Sequence, residues 1–232
     1  MVDPKGFDVS EIRYEELSKK HDREGFSSGN DRIDNWLKKT ARQSATRGDS
    51  ITFVAVRDNP DQSKTKPEIL GYVTMVPGAE YREGSAPAEL LGVEGRDAKG
   101  FLVAQMGVDE KYAGKGLGSA LLASAMHRAK GMGQQIDGMT IDPQDNQGHL
   151  RKLYGNAQFE SSPTVDQADK ESWTMAIKRD DIGPALDKMA AKQHVVDLGG
   201  WRAAHQAKTA ATAEVTQEAK TEQAGPSIVR KL

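Results

Sequence analysis

The chain of 232 residues contains no cysteine. That excludes disulfides, thiol catalysis and thiolate metal sites, and it fits a reducing cytosol. No apolar run approaches the roughly 20 residues that span a bilayer, and the opening MVDPKGFDVSEIRYEEL is no signal peptide. A soluble, cytoplasmic protein without membrane contact is therefore expected. Charge of one sign is also lacking: 32 basic residues face 34 acidic ones, for a net charge of −2. No whole-chain field draws such a protein to nucleic acid, so a partner of that kind must be met by a local patch. The five histidines, His21, His127, His149, His194 and His205, show no metal-ligand spacing, and no metal is expected.

What is present centres on residues 101–126, FLVAQMGVDEKYAGKGLGSALLASAM. Phe101, Leu102, Val103, Ala104, Met106 and Val108 read as a buried strand, and Leu117, Leu121, Leu122, Ala125 and Met126 repeat at helical spacing. Between them, Gly114, Gly116 and Gly118 permit positive φ and carry no Cβ, so backbone amides there can converge on an anion at a helix N-terminus. Such a turn is a phosphate cradle. The spacing is not that of a P-loop, which needs Gly-Lys-Ser/Thr after four residues, nor that of the dinucleotide fingerprint G-x-G-x-x-G. A glycine-rich turn can also serve only to pack a strand tightly against a helix.

The remaining chain reads as strands and helices around this unit. Residues 8–16 are consistent with a first strand. Asn30 or Asp31 caps a helix in which Ile33, Trp36, Leu37 and Thr40 share one side, with Arg32, Lys38, Lys39 and Arg42 opposite. Ile51–Val56 and Ile69–Val76 form an antiparallel pair around the polar turn 59–66. Residues 78–100 read as an irregular excursion with one helical turn at 86–91. A strand over 135–141, a loop over 142–147, a helix over 149–156 and short strands over 159–163 and 172–177 follow. The expected fold is α/β (α+β), a mixed central sheet with helices on both faces, occupying 1–179. Residues 180–232 form a C-terminal extension: an amphipathic helix over 181–196, then an Ala-, Lys-, Glu-, Gln- and Thr-rich tail that is helical when docked and otherwise flexible. Trp201, Ile228 and Val229 are its candidates for gripping a partner.

Lys111-x-x-Gly114-x-Gly116, after a strand ending Gly107-Val108-Asp109-Glu110, resembles the Q/R-x-x-G-x-G/A signature of the GNAT superfamily of acyl-CoA-dependent N-acetyltransferases. Leu153-Tyr154 followed by Phe159 resembles that superfamily's FY…GF segment, with Gln158 where glycine is usual. The resemblance implies acetyl-CoA as the cofactor, bound through Met106 and Val108 along its pantetheine. Lys111, Ala113, Gly114, Lys115, Gly116, Leu117 and Gly118 would lie at its pyrophosphate and Asn146 alongside. It also implies Tyr154 as the general acid; a phenol of pKa about 10 can protonate a departing thiolate of similar basicity. Tyr154 could instead only pack its ring on the sheet. The general base stays open among Glu110, Asp142, Asp145 and His149.

The segment Phe26-x-x-Gly29-x-x-x-Ile33-Asp34-x-Trp36-Leu37, then Ala41 and Gly48-x-x-x-Thr52-Phe53-Val54, resembles the opening of the GNAT toxins of bacterial toxin–antitoxin pairs. Gly71-Tyr72 and the run Ala86 to Leu91 extend the likeness over roughly 20–178. It implies an N-acetyltransferase that modifies the α-amine of aminoacyl-tRNA and blocks translation, with a cognate antitoxin as partner and room for a homodimer. The basic face of Arg32, Lys38, Lys39 and Arg42 is then the RNA-contacting patch. Two other readings stand beside it: acetylation of a small amine or a protein amine, and a non-catalytic binding module.

Overall fold

The computed structural model describes residues 12–58, 65–143, 148–161 and 174–191. Seven strands form one mixed sheet in the order β1-β2-β3-β4-β5-β7-β6. They are β1 Arg13–Glu16, β2 Ile51–Arg57, β3 Glu68–Tyr81, β4 Ala98–Val108, β5 Gly138–Ile141, β6 Glu160–Ser161 and β7 Met175–Lys178. Neighbours run antiparallel except β4 and β5, which are parallel. A parallel pair needs a crossover, and α4, Leu117–Met132, supplies it directly after the glycine loop.

α4 is buried nearly all round, from Leu117 through Leu121, Leu122 and Met126 to Ala129. A helix with so wide an apolar surface belongs inside a core, and Arg128 is left at its exposed edge. α4 lies on the sheet against β3 and β4 on one side and is covered by α6, Arg179–Ala190, on another. On α6, Ile182, Ala185, Leu186 and Met189 are buried in the same cluster as Leu121 and Met126. The expected boundary at 179/180 thus falls at the start of a helix seated on the main core, and the helical part of the extension shares that core. The tail from 192 onward, with Trp201, Ile228 and Val229, lies outside the described residues, as do residues 8–11 of the expected first strand.

A second cluster on the other face unites Phe26, Leu37, Val54, Val56, Ile69 and Tyr72 under α1, Asp31–Asn35, and α2, Ala41–Arg47. The side chain of Asn30 caps α1, accepting from the amides of Arg32 (3.0 Å) and Ile33 (3.3 Å). Two shorter helices complete the fold, α3 Ala86–Leu90 and α5 His149–Asn156. Several expected bounds move. β3 continues through Pro77 to Tyr81, and β4 begins at Ala98, because the two pair over almost their whole length and turn part of the expected excursion into ladder. Gly133–Gln135 is a tight helical turn, so β5 starts only at Gly138. β6 is described over Glu160–Ser161 and β7 runs to Lys178, while residues 162–163 and 172–173 of the two expected strands lie outside the described residues, as do 59–64 of the expected turn and 144–147 of the expected loop. Among the described residues no helix is long and apolar enough to cross a membrane.

Candidate active site

The sheet splits beside the glycine loop. β4 pairs with β5 only from Gly100 to Val103. One residue on, Met75 faces Val103 while Thr74 faces Gln105, so Ala104 is an extra residue in β4. A bulge of this kind bends its strand and re-aims it. From Ala104 to Val108, β4 keeps β3 on one side, and its other side borders a cleft of about 400 Å³. That volume falls within the roughly 300–1,000 Å³ of small-molecule sites. Met106 and Val108 line the cleft from β4, Gly118 from α4, and Leu150, Leu153 and Tyr154 from α5.

The loop between β4 and α4 is built around a buried carboxylate. Asp109, 1% exposed, accepts from the amide of Lys111 (3.1 Å) and caps a tight turn at Glu110–Tyr112. The amide of Ala113 donates to the Glu110 carbonyl (3.2 Å), so this expected cradle member closes the turn instead. Gly114 (φ 74°) and Gly116 (φ 82°) then take left-handed conformations that a side chain would strain. The first bond of α4 runs from the Ala120 amide to the Gly116 carbonyl (3.1 Å). The amides of Leu117, Gly118 and Ser119 precede it and sit at the positive end of the helix dipole.

Positive charge gathers behind the loop. The ammonium of Lys115 lies 5.5 Å from the centre of the Tyr112 ring, and Lys111 Nζ is 3.6 Å from Glu68. Arg57 donates to the Tyr112 hydroxyl (2.5 Å), which donates to Glu68 (3.0 Å). Burial, reinforced by Glu68, pushes the Tyr112 phenol up to about 12, so it stays neutral as an anchor.

Tyr154 stands in the last turn of α5, 4% exposed at the cleft wall. Its carbonyl accepts from the amides of Ala157 (2.9 Å) and Phe159 (3.1 Å), and its ring lies 6.2 Å from that of Phe159. This compact stop requires Gln158 at φ 66°, the one positive-φ residue other than glycine among those described. The chain therefore adopts the glycine-like turn with a glutamine in it. Of the candidate bases, Asp142 and His149 border the cleft and are exposed. Glu110 instead lies at Ser27, whose hydroxyl donates to it (3.4 Å). Asp145 and Asn146 lie outside the described residues.

The basic face is redistributed by a feature that ideal helical spacing misses. Between α1 and α2, Trp36–Thr40 form a π-helical turn, with the Ala41 amide donating to the Trp36 carbonyl five residues back. Side chains brace the carbonyls around the turn: the Tyr72 hydroxyl donates to Ile33 (2.8 Å), just ahead of it, and Arg23 donates to Leu37 (3.4 Å), whose usual helical donor goes to Trp36, and to Lys38. Arg32 and Lys39 are exposed and border one depression beside the cleft, whereas Lys38 and Arg42 are half-buried and do not line it. Arg23 and Tyr72, which hold this turn, were not among the sequence candidates; their partners are too distant in the chain for spacing to reveal.

Residues 10–157 match the model of the Acetyltransferase (GNAT) family. The chain belongs to the GNAT acetyltransferase family. It is an acyl-CoA N-acyltransferase, as the resemblance implied. The GNAT chain is 28% identical over 148 residues to a tRNA-acetylating toxin of Mycobacterium tuberculosis (strain ATCC 25618 / H37Rv), covering 64% of this chain and 84% of the relative. Its fold is similar to that of a Tyr-to-Phe mutant of KacT, with TM-score 0.61, 18% identity, 75% of this chain and 98% of that one. It is also similar to AtaT complexed with acetyl-methionyl-tRNAfMet, with TM-score 0.58, 16% identity, 74% of this chain and 96% of that one.

The site fits acetyl-CoA. Extended chain from Ala104 to Val108 offers amides and carbonyls to a pantetheine arm, and the α4 amides with two left-handed glycines offer donors to a pyrophosphate. A Cβ placed at Gly118 would reach only ordinary contact with Val108 (3.8 Å) and Leu153 (3.9 Å), so the missing side chain leaves room at the cleft rather than relieving a clash.

Proposed function

We propose that this GNAT enzyme transfers acetyl from acetyl-CoA to the α-amine of an aminoacyl-tRNA in the cytoplasm, and so arrests translation as a toxin held in check by a cognate antitoxin. The observation that carries the reading is the acceptor side of the cleft. On a chain of net charge −2, Arg32 opens onto the cleft and, with Lys39, onto the adjoining depression. Two cations converging there suit a phosphate-bearing acceptor better than a cationic amine. The named activity of the mycobacterial relative supports the same substrate class.

Acetyl-CoA supplies an activated thioester carbonyl. The chain's own residues do the rest: loop and α4 amides hold the diphosphate, β4 aligns the arm, and Tyr154 donates its phenolic proton to the leaving thiolate. An α-amine titrates near pH 8, about 7.7–8.0 in model compounds, so a weak base or water suffices to present it neutral.

The test is cell-free translation to which the purified protein is added. Arrest that requires acetyl-CoA, is absent with Tyr154→Phe, and deposits labelled acetyl on the charged tRNA fraction is expected. Arrest without acetyl on tRNA, or labelling confined to peptides or small amines, contradicts the proposal.

A further inference from the structure

Beside the cleft lies an open depression lined by Arg32, Asn35, Trp36, Lys39, Thr40 and Gln105. It is continuous with the cleft, since Arg32 and Gln105 line both. No acidic side chain lines it. Its centre is an indole held in place: Trp36 Nε1 donates to the Thr74 hydroxyl (3.1 Å), which is paired with the Thr52 hydroxyl (2.8 Å) inside the sheet. Trp36 packs at its back against the cluster containing Phe26, Leu37 and Tyr72. The π-helical turn Trp36–Thr40 places Trp36, Lys39 and Thr40 on this depression; Arg23 donates to the Leu37 carbonyl that the turn displaces, and Tyr72 donates to the Ile33 carbonyl just ahead of it. A π turn maintained by partners from elsewhere in the fold is a frequent mark of a functional site.

An immobilised aromatic ring, two exposed cations and neutral amide groups are the elements that bind single-stranded nucleotides: the ring stacks a base, and the cations meet its phosphates. We infer that this depression is the subsite for the terminal nucleotide of the acyl acceptor, with the base on Trp36, phosphate oxygens at Arg32 and Lys39, and Gln105 and Asn35 at polar edges. The inference rests on the aminoacyl-tRNA reading. It assigns recognition of the nucleotide to the π turn and leaves transfer to the cleft beyond it.

The experiment compares acetyl transfer to an aminoacyl-tRNA with transfer to the methyl ester of the same amino acid. The measured quantity is the ratio of the two kcat/KM values. Trp36→Leu is expected to lower that ratio about tenfold, as stacking on one base implies, while Trp36→Phe, which keeps a ring, stays close to wild type. Lys39→Glu, at an exposed position that does not touch the core, should lower the ratio similarly and make its loss with salt shallower, since one fewer phosphate is neutralised. In parallel, binding of a single-stranded RNA tetramer ending in CCA is measured by calorimetry on the acetyl-CoA-loaded protein, with Trp36→Leu and Lys39→Glu weakening it. A ratio unchanged in both variants, or tetramer binding indifferent to both, overturns the subsite. If wild type transfers acetyl to no aminoacyl-tRNA, the functional proposal fails, and the tetramer titration still decides whether the depression takes a nucleotide.

Discussion

Asp109 accepts the backbone amide of Ser27 at 3.0 Å, a bond between residues 82 positions apart. The same carboxylate caps the turn that opens the glycine loop, and the Glu110 amide donates back to the Ser27 carbonyl (2.9 Å). The segment leading into α1, on the acceptor side, is thereby fastened to the loop expected to hold the diphosphate. Asp109→Asn presents an NH₂ or a single acceptor to two amide donors. It should cost about 2 kcal/mol, the usual penalty of unsatisfied buried donors, measured by urea denaturation, and should weaken acetyl-CoA binding in calorimetry.

Gly118→Ala separates folding from binding. The added methyl meets Val108 and Leu153 at ordinary contact distance and removes backbone entropy from the unfolded chain. Stability should rise by about 0.5 kcal/mol, while the KM for acetyl-CoA rises because the methyl occupies the cleft mouth. A fall in stability with unchanged KM would contradict this placement of the cleft.

Tyr154→Phe keeps the packing of the ring and removes only the proton donor. We expect kcat to fall by about 10²-fold, with acetyl-CoA affinity and melting temperature close to wild type. Steady-state kinetics with calorimetry on the same preparation distinguishes this from a packing role, in which all three would be retained.

Gln158 sits at φ 66°. A left-handed residue with a Cβ costs roughly 1–2 kcal/mol, part of which glycine returns as unfolded-chain entropy. Gln158→Gly should therefore stabilise the protein by about 0.5–1 kcal/mol in denaturation, despite losing the 3.2 Å bond from Lys188.

Acid stability turns on His21 and Glu15. His21 is buried; its Nδ1 accepts from the Ser18 amide (3.0 Å), and its Nε2 lies 3.2 Å from Glu15. Burial holds the imidazole below its ordinary value of 6.5, and the bond from Lys20, ahead of that from His21, holds Glu15 below 4.5. For both groups the unfolded chain binds protons at a higher pH than the folded one. Their stabilisation is present above the unfolded values and drains as pH falls, beginning below about 6.5 for His21 and about 4.5 for Glu15. Stability measured from pH 7.5 to 5 should decline, and His21→Gln should flatten the decline.

The strand, glycine turn and helix at 101–126 were legible because their signals are local: an apolar run, three close glycines and a 3.6 period. Tyr154 was legible through its position ahead of Phe159, and the turn between them forms although glutamine replaces glycine. The split in the sheet was not, since it depends on where β5 stops and on a slipped register at Ala104, both properties of pairing. The π turn was hidden for the same reason: Tyr72 and Arg23 hold it, and helical spacing alone spread four cations over one face where the fold brings Arg32 and Lys39 together. β3 and β4 reached further than expected because each lends the other a ladder across residues that look irregular alone.

The most direct measurement of the central claim is transfer of radiolabelled acetyl from acetyl-CoA to a panel of aminoacyl-tRNAs, deacylated tRNA, small amines and peptides, by wild type and Tyr154→Phe. Label on the α-amine of at least one aminoacyl-tRNA, none on deacylated tRNA, and a loss of about 10²-fold in the variant is the predicted result. Label on amines or peptides alone, or equal transfer by the variant, would contradict it.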